Sequence, residues 1–234
     1  MMMKKLLLLG VLGVFLNAGE VKIATAAGYK KPVMEVIAAF EESGEKMEAL
    51  FGNMQQVITQ AKNGKIDIVI GDKTYLDKSR LPILSYQAIG RGKVVLAYAK
   101  ERRLERAEDL TKEEIRKVAI PQPGKAIYGT AGEAFLRHTH LYEKIEAKLY
   151  IVAKVPQVVA YLVTGEVDAG IINLTAALSN KEKLGGYILV DEESYAPIEI
   201  TAAKLENCQN ESCEAFLKFM ATPKAQEIFR KYGL

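Results

Sequence analysis

The sequence has no tryptophan, only two cysteines and two histidines, and a net charge of only +3 in 234 residues. Each scarcity excludes something. Two histidines, His138 and His140, with no acidic cluster near them leave a zinc site with little support. A near-neutral balance gives no electrostatic footprint for nucleic acid or an acidic membrane surface. No Gly-x-Ser-x-Gly elbow, metal-ligand cluster or Cys-His pair at meaningful spacing is present, so the chain offers no catalytic constellation, and Glu192-Glu193 read as solvated loop charges. The one long apolar run is at the start. Lys4 and Lys5 precede Leu6–Leu16, and Leu16-Asn17-Ala18 has the form of a cleavage site. That pattern is a secretory signal peptide over 1–18, its apolar stretch too short for a stable span. No cysteine follows it, which argues against a lipid anchor. The expected destination is the periplasm of a Gram-negative cell. Loss of Lys4 and Lys5 leaves the mature chain almost balanced in charge.

The cysteines, Cys208 and Cys213, lie close together in NCQNESCEAF, in a compartment that permits oxidation. A short-loop disulfide is the expected reading, with two free thiols or a metal site as the alternatives. The His-x-His pair is expected at the exposed end of a helix.

What is present is a repeated strand-loop-helix design. In VKIATAAGYKKPVMEVIAAF (21–40) an apolar strand stops in small residues, and a helix with Val33, Val36, Ile37 and Phe40 on one face begins at once. Such a junction leaves backbone N–H groups uncovered and directs a helix dipole at whatever sits there, so an anion fits as naturally as an ordinary tight turn does. Asn53 is placed to cap a second helix, with Met54, Val57, Ile58 and Ala61 on one face, that stops at Asn63-Gly64 before a buried strand from Ile66 to Ile70. MQQVITQAKNGKIDIVI (54–70) and VPQVVAYLVTGEVDAGI (155–171) superimpose without a gap, sharing Gln56/Gln157, Val57/Val158, Gly64/Gly165, Asp67/Asp168 and Ile70/Ile171. Two similarly built lobes follow, each presenting a helix N-terminus to a common cleft. PQPGKAIYGTAGEAF (121–135) is a further junction of this kind. Lys93–Ala99, Leu149–Ala153, Ile188–Val190 and Ile198–Thr201 read as strands, Asn173 ends another at the carboxyl edge where α/β sheets hold ligands, and KERRLERAEDLTKEEIRK (100–117) reads as a solvated helical surface. Thr222 and Pro223 start the last helix.

ATAAG, NGKIDIVIGD, PQPGKAIYGTAGEAFL, GEVDAGII and TPKAQEIFRKYGL, in this order, resemble the periplasmic molybdate-binding proteins of ABC importers, and the resemblance covers the whole mature chain. It implies an α/β fold of class II binding-protein type, with two lobes, each a mixed sheet flanked by helices. Lobe 1 is expected over 19–96 plus 198–234 and lobe 2 over 97–197. It further implies an oxyanion, molybdate or tungstate, held in the interlobe cleft by neutral donors, no cofactor and no catalysis. The implied partner is an inner-membrane ABC permease and the implied state a monomer. Carried over by position, a family serine falls on Gly28, between Ala27 and Tyr29. A second falls on Gln55 beside Met54, two backbone donors fall on Tyr128 and Val155, and a tyrosine falls on Asn173. Backbone donors survive these replacements, whereas the expected hydroxyls do not. Thr25, Tyr29, Gln55, Thr130 and Asn173 are substitute donors, and Lys30, Lys31 and Lys125 form an exposed rim. Another small anion or an organic acid is the alternative ligand, and a periplasmic enzyme on the same scaffold a remoter one.

Overall fold

The computed structural model describes residues 20–64 and 66–234, so the expected signal peptide, its cleavage motif and Gly19 lie outside the described residues. The chain begins with β1 (Val21–Ala26), a 3-10 turn Ala27–Tyr29 running into α1 (Lys30–Glu41), β2 (Met47–Gly52) and α2 (Met54–Lys62). Then come β3 (Ile68–Asp72), α3 (Lys73–Lys78) and β4 (Ile83–Gly92). The middle of the chain supplies β5 (Val94–Tyr98), β6 (Val118–Pro121), α4 (Ile127–His138), α5 (Tyr142–Ile145), β7 (Leu149–Val152) and α6 (Val155–Thr164). It continues with β8 (Ala169–Asn173), α7 (Leu174–Ser179) and β9 (Gly186–Leu189), and β10 (Ile198–Leu205), α8 (Glu211–Met220) and α9 (Pro223–Lys231) close it.

These strands form two five-stranded mixed sheets, ordered β2-β1-β3-β10-β4 and β7-β6-β8-β5-β9. In each, the first three strands are parallel and the fourth runs antiparallel. The antiparallel strand in each case, β10 or β5, has just crossed from the other sheet. This is the two-lobed class II arrangement. Sheet membership changes at Lys93, because β5 pairs with β8 and β9 from Val94 onward. The first crossing therefore falls earlier than a boundary after residue 96. The return runs from Val190 to Ile198 through a 3-10 turn at Glu192–Ser194.

The equivalence of the two repeat units extends to single hydrogen bonds. Lys22 N–H donates to the Asp67 carboxylate at 2.8 Å and Asp67 N–H returns a bond to the Lys22 carbonyl at 2.9 Å. Lys117 and Asp168 make the same exchange, both at 2.9 Å. Each aspartate thus fixes the register of its parallel neighbour at the strand entrance.

The helix stripe read from 33–40 is buried against the first sheet, and Phe40 packs on Phe216 and Phe219 with ring centroids 5.2 and 5.5 Å apart. Burying a phenylalanine stabilises by about 2–3 kcal/mol, which ties α1 to α8. Cys208 and Cys213 form a disulfide, with Cα atoms 5.7 Å apart, at the entry to α8. The side chain of Asn210 caps that helix by accepting from Cys213 N–H. His138 ends α4 and is exposed, as is His140.

The charged segment from Lys100 to Lys117 is not a helix: it contains only a 3-10 turn over Ala107–Thr111. Its buried apolar residues, Leu104, Leu110 and Ile115, are six and five positions apart, which fits no helical stripe. The carboxylate of Asp109 also accepts the N–H groups of Glu105 and Arg106, holding the chain in a local turn. Met47–Gly52 proves to be an edge strand. β4, which no reading of the sequence picked out, is a ten-residue edge strand with only Ile89 and Gly92 buried.

Candidate functional site

Four chain segments meet where the lobes face each other: Ala26–Tyr29 and Gly52–Met54 from the first, Ala126–Tyr128 and Lys154–Val155 from the second. Each is a strand-to-helix junction, so each brings the positive end of a helix to the same place. Between them lies a cavity of about 20 Å³, room for about one water. Of the residues singled out in the sequence, Ala27, Gly28, Tyr29, Met54, Tyr128 and Val155 line it.

The helix caps differ in a way that matters for a ligand. α2 satisfies its own first turn through a capping box, Asn53 Oδ1 accepting from Gln56 N–H and Gln56 Oε1 accepting from Asn53 N–H. α3, α8 and α9, which start elsewhere, are capped by Asp72, Asn210 and Thr222. The turn leading into α1, α4 and α6 have no side-chain cap. Their N-cap positions hold Ala26, Tyr29, Ala126 and Lys154, none with a side-chain oxygen suited to the task. The first-turn N–H groups at these junctions therefore have no side-chain acceptor at the N-cap, beside the cavity.

Two tyrosines close the floor. Tyr29 and Tyr128 are buried, 1% and 3% exposed, and their hydroxyl oxygens are 2.5 Å apart across the lobe boundary. Burial pushes both phenols well above their ordinary range, so both remain neutral at physiological pH. One O–H is used between them, and the other is left for an acceptor. Gly92, at the first crossing, makes this possible: a Cβ there would stand 2.2 Å from Tyr128 Oη.

Further bonds hold the lobes together. Asn173 Nδ2 donates to the Gly28 carbonyl at 3.2 Å, Asn53 Nδ2 to the Ala153 carbonyl at 3.4 Å, and Gln55 N–H to the Lys125 carbonyl at 3.3 Å. Tyr75 and Thr130 hydroxyls lie 2.7 Å apart. Gln55 is therefore not on the cavity wall; its side chain is exposed and its backbone donor is taken by the opposite lobe. Asn173 also lies off the wall, but its amide rests against Gly28, which is on it. Thr130 is engaged with Tyr75 and Gly124 N–H, and Thr25 is buried within β1.

Lys30, Lys31, Lys125 and Lys154 are exposed, and none forms a salt bridge among the described residues. Lys31 donates to the Ser179 carbonyl of the other lobe. With Lys183, Lys30 and Lys31 border a groove of about 570 Å³ that opens outward from Ala27 and Gly28. Ala26 belongs to the small-residue junction read as one wall of the site; Gly52, Asn53, Ala126, Ile127 and Lys154 also line the wall and were not legible as such in the sequence. The usable signal was position: most of them stand immediately before a helix start, where the carried-over pattern names only one residue per junction.

A cavity walled by helix N-termini and two neutral phenols, with Lys154 the one cationic residue on its wall among the described residues, is suited to holding a small anion by hydrogen bonds. Comparison with known proteins places the chain in a family and a fold. The chain is 29% identical over 225 residues to the molybdate-binding protein ModA of Rhodobacter capsulatus, covering 92% of this chain and 88% of that one. It is 27% identical over 234 residues to the molybdate-binding protein ModA of Azotobacter vinelandii, covering 96% and 93%. The solved structure of the Azotobacter vinelandii periplasmic molybdate-binding protein shares the fold, with a TM-score of 0.82 at 24% identity over 92% of this chain and 98% of that one. A family profile described as bacterial extracellular solute-binding protein matches residues 21–234, and the chain belongs to that family.

Proposed function

We propose that this protein is the receptor of an ABC importer, capturing a small tetrahedral oxyanion in the periplasm as a monomer and delivering it to an inner-membrane permease. The observation that carries this reading is the meeting of uncapped helix N-termini at one interlobe cavity beside the Tyr29–Tyr128 pair. Backbone donors and a phenol stabilise negative charge without a resident cation, each such bond contributing roughly 1.5–3 kcal/mol. The relatives' names favour molybdate, with tungstate as its near-equal in size and charge. A cavity of about 20 Å³ is too small for a four-oxygen anion, so uptake requires the lobes to part and close again about Lys93 and the Val190–Ile198 crossing. Lys30 and Lys31, exposed beside the wall and without a carboxylate partner among the described residues, raise the local anion concentration. Nothing in this arrangement calls for catalysis or a cofactor.

Isothermal calorimetry with molybdate, tungstate and sulfate tests the proposal. Micromolar or tighter binding of either group 6 oxyanion is expected, and no binding of either overturns it. A second reading, another small anion or organic acid, is favoured by Gly28 and Gln55, which place no hydroxyl at the cavity. Mass spectrometry of ligand released from native protein separates the two, and finding molybdenum or tungsten alone rejects the second.

A further inference from the structure

The hydroxyl pair between Tyr75 and Thr130 joins the lobes without touching the cavity. Tyr75 lies in α3 of the first lobe and Thr130 in α4 of the second, and their oxygens are 2.7 Å apart. Both border a groove of about 350 Å³ between α3, α4 and the return crossing at 196–198, so the pair bridges the lobes across a space that side chains leave unfilled. Neither residue is on the wall of the ligand cavity. Each is nonetheless bonded to a part that closure must move. On the first-lobe side, the buried Asp72 carboxylate accepts Tyr75 N–H at 3.3 Å and, at 3.1 Å, the N–H of Glu199, which stands just after the return crossing. On the second-lobe side, Thr130 Oγ1 accepts Gly124 N–H at 3.0 Å and lies 3.4 Å from the Ala126 carbonyl. Ala126 is the N-cap of α4 and part of the cavity wall. With Tyr75 donating to Thr130 and Thr130 donating to Ala126, one line of bonds runs from the return crossing to the cavity wall.

We propose that Tyr75 and Thr130 are positioning residues that form a latch: their hydrogen bond is made as the lobes close over an oxyanion, slows its release, and takes no part in choosing which oxyanion is held. The inference rests on the receptor reading and adds control of closure to it. When the lobes part, both hydroxyls exchange this bond for bonds to water, so the latch contributes the net value of one neutral hydrogen bond rather than its full strength. That corresponds to about fivefold in affinity. Because the latch acts on the closed state alone, every ligand gains by the same factor.

Calorimetry with molybdate and tungstate, paired with stopped-flow mixing followed by tyrosine fluorescence, tests the latch. Tyr75→Phe is expected to weaken both anions about fivefold, through faster release at a nearly unchanged association rate. Thr130→Val should lose at least as much, and Thr130→Ser, which keeps the hydroxyl, should bind as the wild type does. The double variant Tyr75→Phe/Thr130→Val should be no weaker than Thr130→Val alone, because the two hydroxyls make one bond. A residue in contact with the ligand would change the molybdate-to-tungstate ratio. A purely structural role would lower the unfolding midpoint and leave the release rate alone. Either result overturns the inference, as does wild-type affinity in a folded Tyr75→Phe protein. If the wild type binds these anions and the variants behave in one of those ways, only the inference falls. If the wild type binds neither anion, the receptor reading itself falls.

Discussion

The two lobes are built on one plan and finished differently. In both, a helix and a buried strand follow in the same register, and Asp67 and Asp168 tie their strands to Lys22 and Lys117 through the same pair of bonds. The first lobe caps α2 from within, with Asn53 and Gln56. The second lobe starts the equivalent α6 at Lys154 with no side-chain cap and Pro156 in the first turn, and its α4 is likewise uncapped. The aspartates diverge too. Burial dominates at Asp67 and pushes its carboxyl up. At Asp168 burial is outweighed by Arg102, 2.7 Å away, and by two backbone N–H groups, and the carboxyl is held down. A shared framework therefore fixes the fold, while two of the helix starts at the cavity that lack a side-chain cap, those of α4 and α6, lie in the second lobe, where the proposed recognition draws most of its donors.

Glycine substitutions break this comparison most sharply. A Cβ at Gly129 would meet the Pro121 carbonyl oxygen of the same lobe at 2.2 Å, whereas one at Gly28 meets only the movable Asn173 side chain at 2.9 Å. Gly129→Ala is expected to destabilise the protein by about 3 kcal/mol or more, since backbone must shift. Gly28→Ala should leave chemical denaturation nearly unchanged and act on lobe closure instead. Equal losses for the two would contradict the assignment of Gly28 to the interlobe contact.

Next in size is Lys154→Asp, which places a carboxylate at the uncapped start of α6. It should raise the stability of the unliganded protein by about 1 kcal/mol and weaken oxyanion binding by roughly a hundredfold. Lys154→Ala, as control, should lose much less affinity, and equal losses would mean that the lysine charge alone matters. Asn53→Ala sharpens the other side of the comparison. It removes the α2 capping box and should cost about 1 kcal/mol of stability, with affinity falling less than in Lys154→Asp.

The smallest effect concerns the aspartates. Because the Asp168 carboxyl is held below its ordinary value, its contribution is complete above the usual aspartate range and lost as pH falls through the lowered value. Asp168→Asn should cost about 1 kcal/mol near pH 7, a figure kept low for solvent screening around Arg102, and the difference from wild type should vanish in acid. Asp67 is raised, so its ionised form is disfavoured by folding and its contribution is lost as pH rises through the raised value. Asp67→Asn keeps the acceptor for Lys22 N–H and should change stability by less than about 0.5 kcal/mol at pH 7. A larger loss there than at Asp168 would reverse the comparison.

Much of this plan can be read from residues 54–70 and 155–171, where apolar spacing, Gly64 and Gly165 and the paired aspartates leave little freedom. The caps at Asn53 and Thr222 are equally plain because capping is local chemistry. β4 and the segment 100–117 escape such reading. The strand is an exposed edge with few apolar positions, and the charged segment is held by Asp109 and by buried residues at irregular spacing. Within the site, which junctions converge follows from the repeat, but the contact between Gly28 and Asn173 joins residues 145 positions apart. No local pattern encodes whether Gln55 faces the cavity or the solvent. That depends on how closely the lobes approach.

In the proposed receptor, a bound oxyanion takes the place of the missing helix caps. Backbone amide 15N–1H shifts, recorded as molybdate or another bound oxyanion is added, test it residue by residue. The expected result is that the largest downfield proton shifts at saturation fall on Gly28, Tyr128 and Val155, with little change at the capped starts of α3, α8 and α9. If the largest shifts instead fall among Lys30, Lys31 and Lys183 at the rim, and those three amides stay where they were, the claim is wrong.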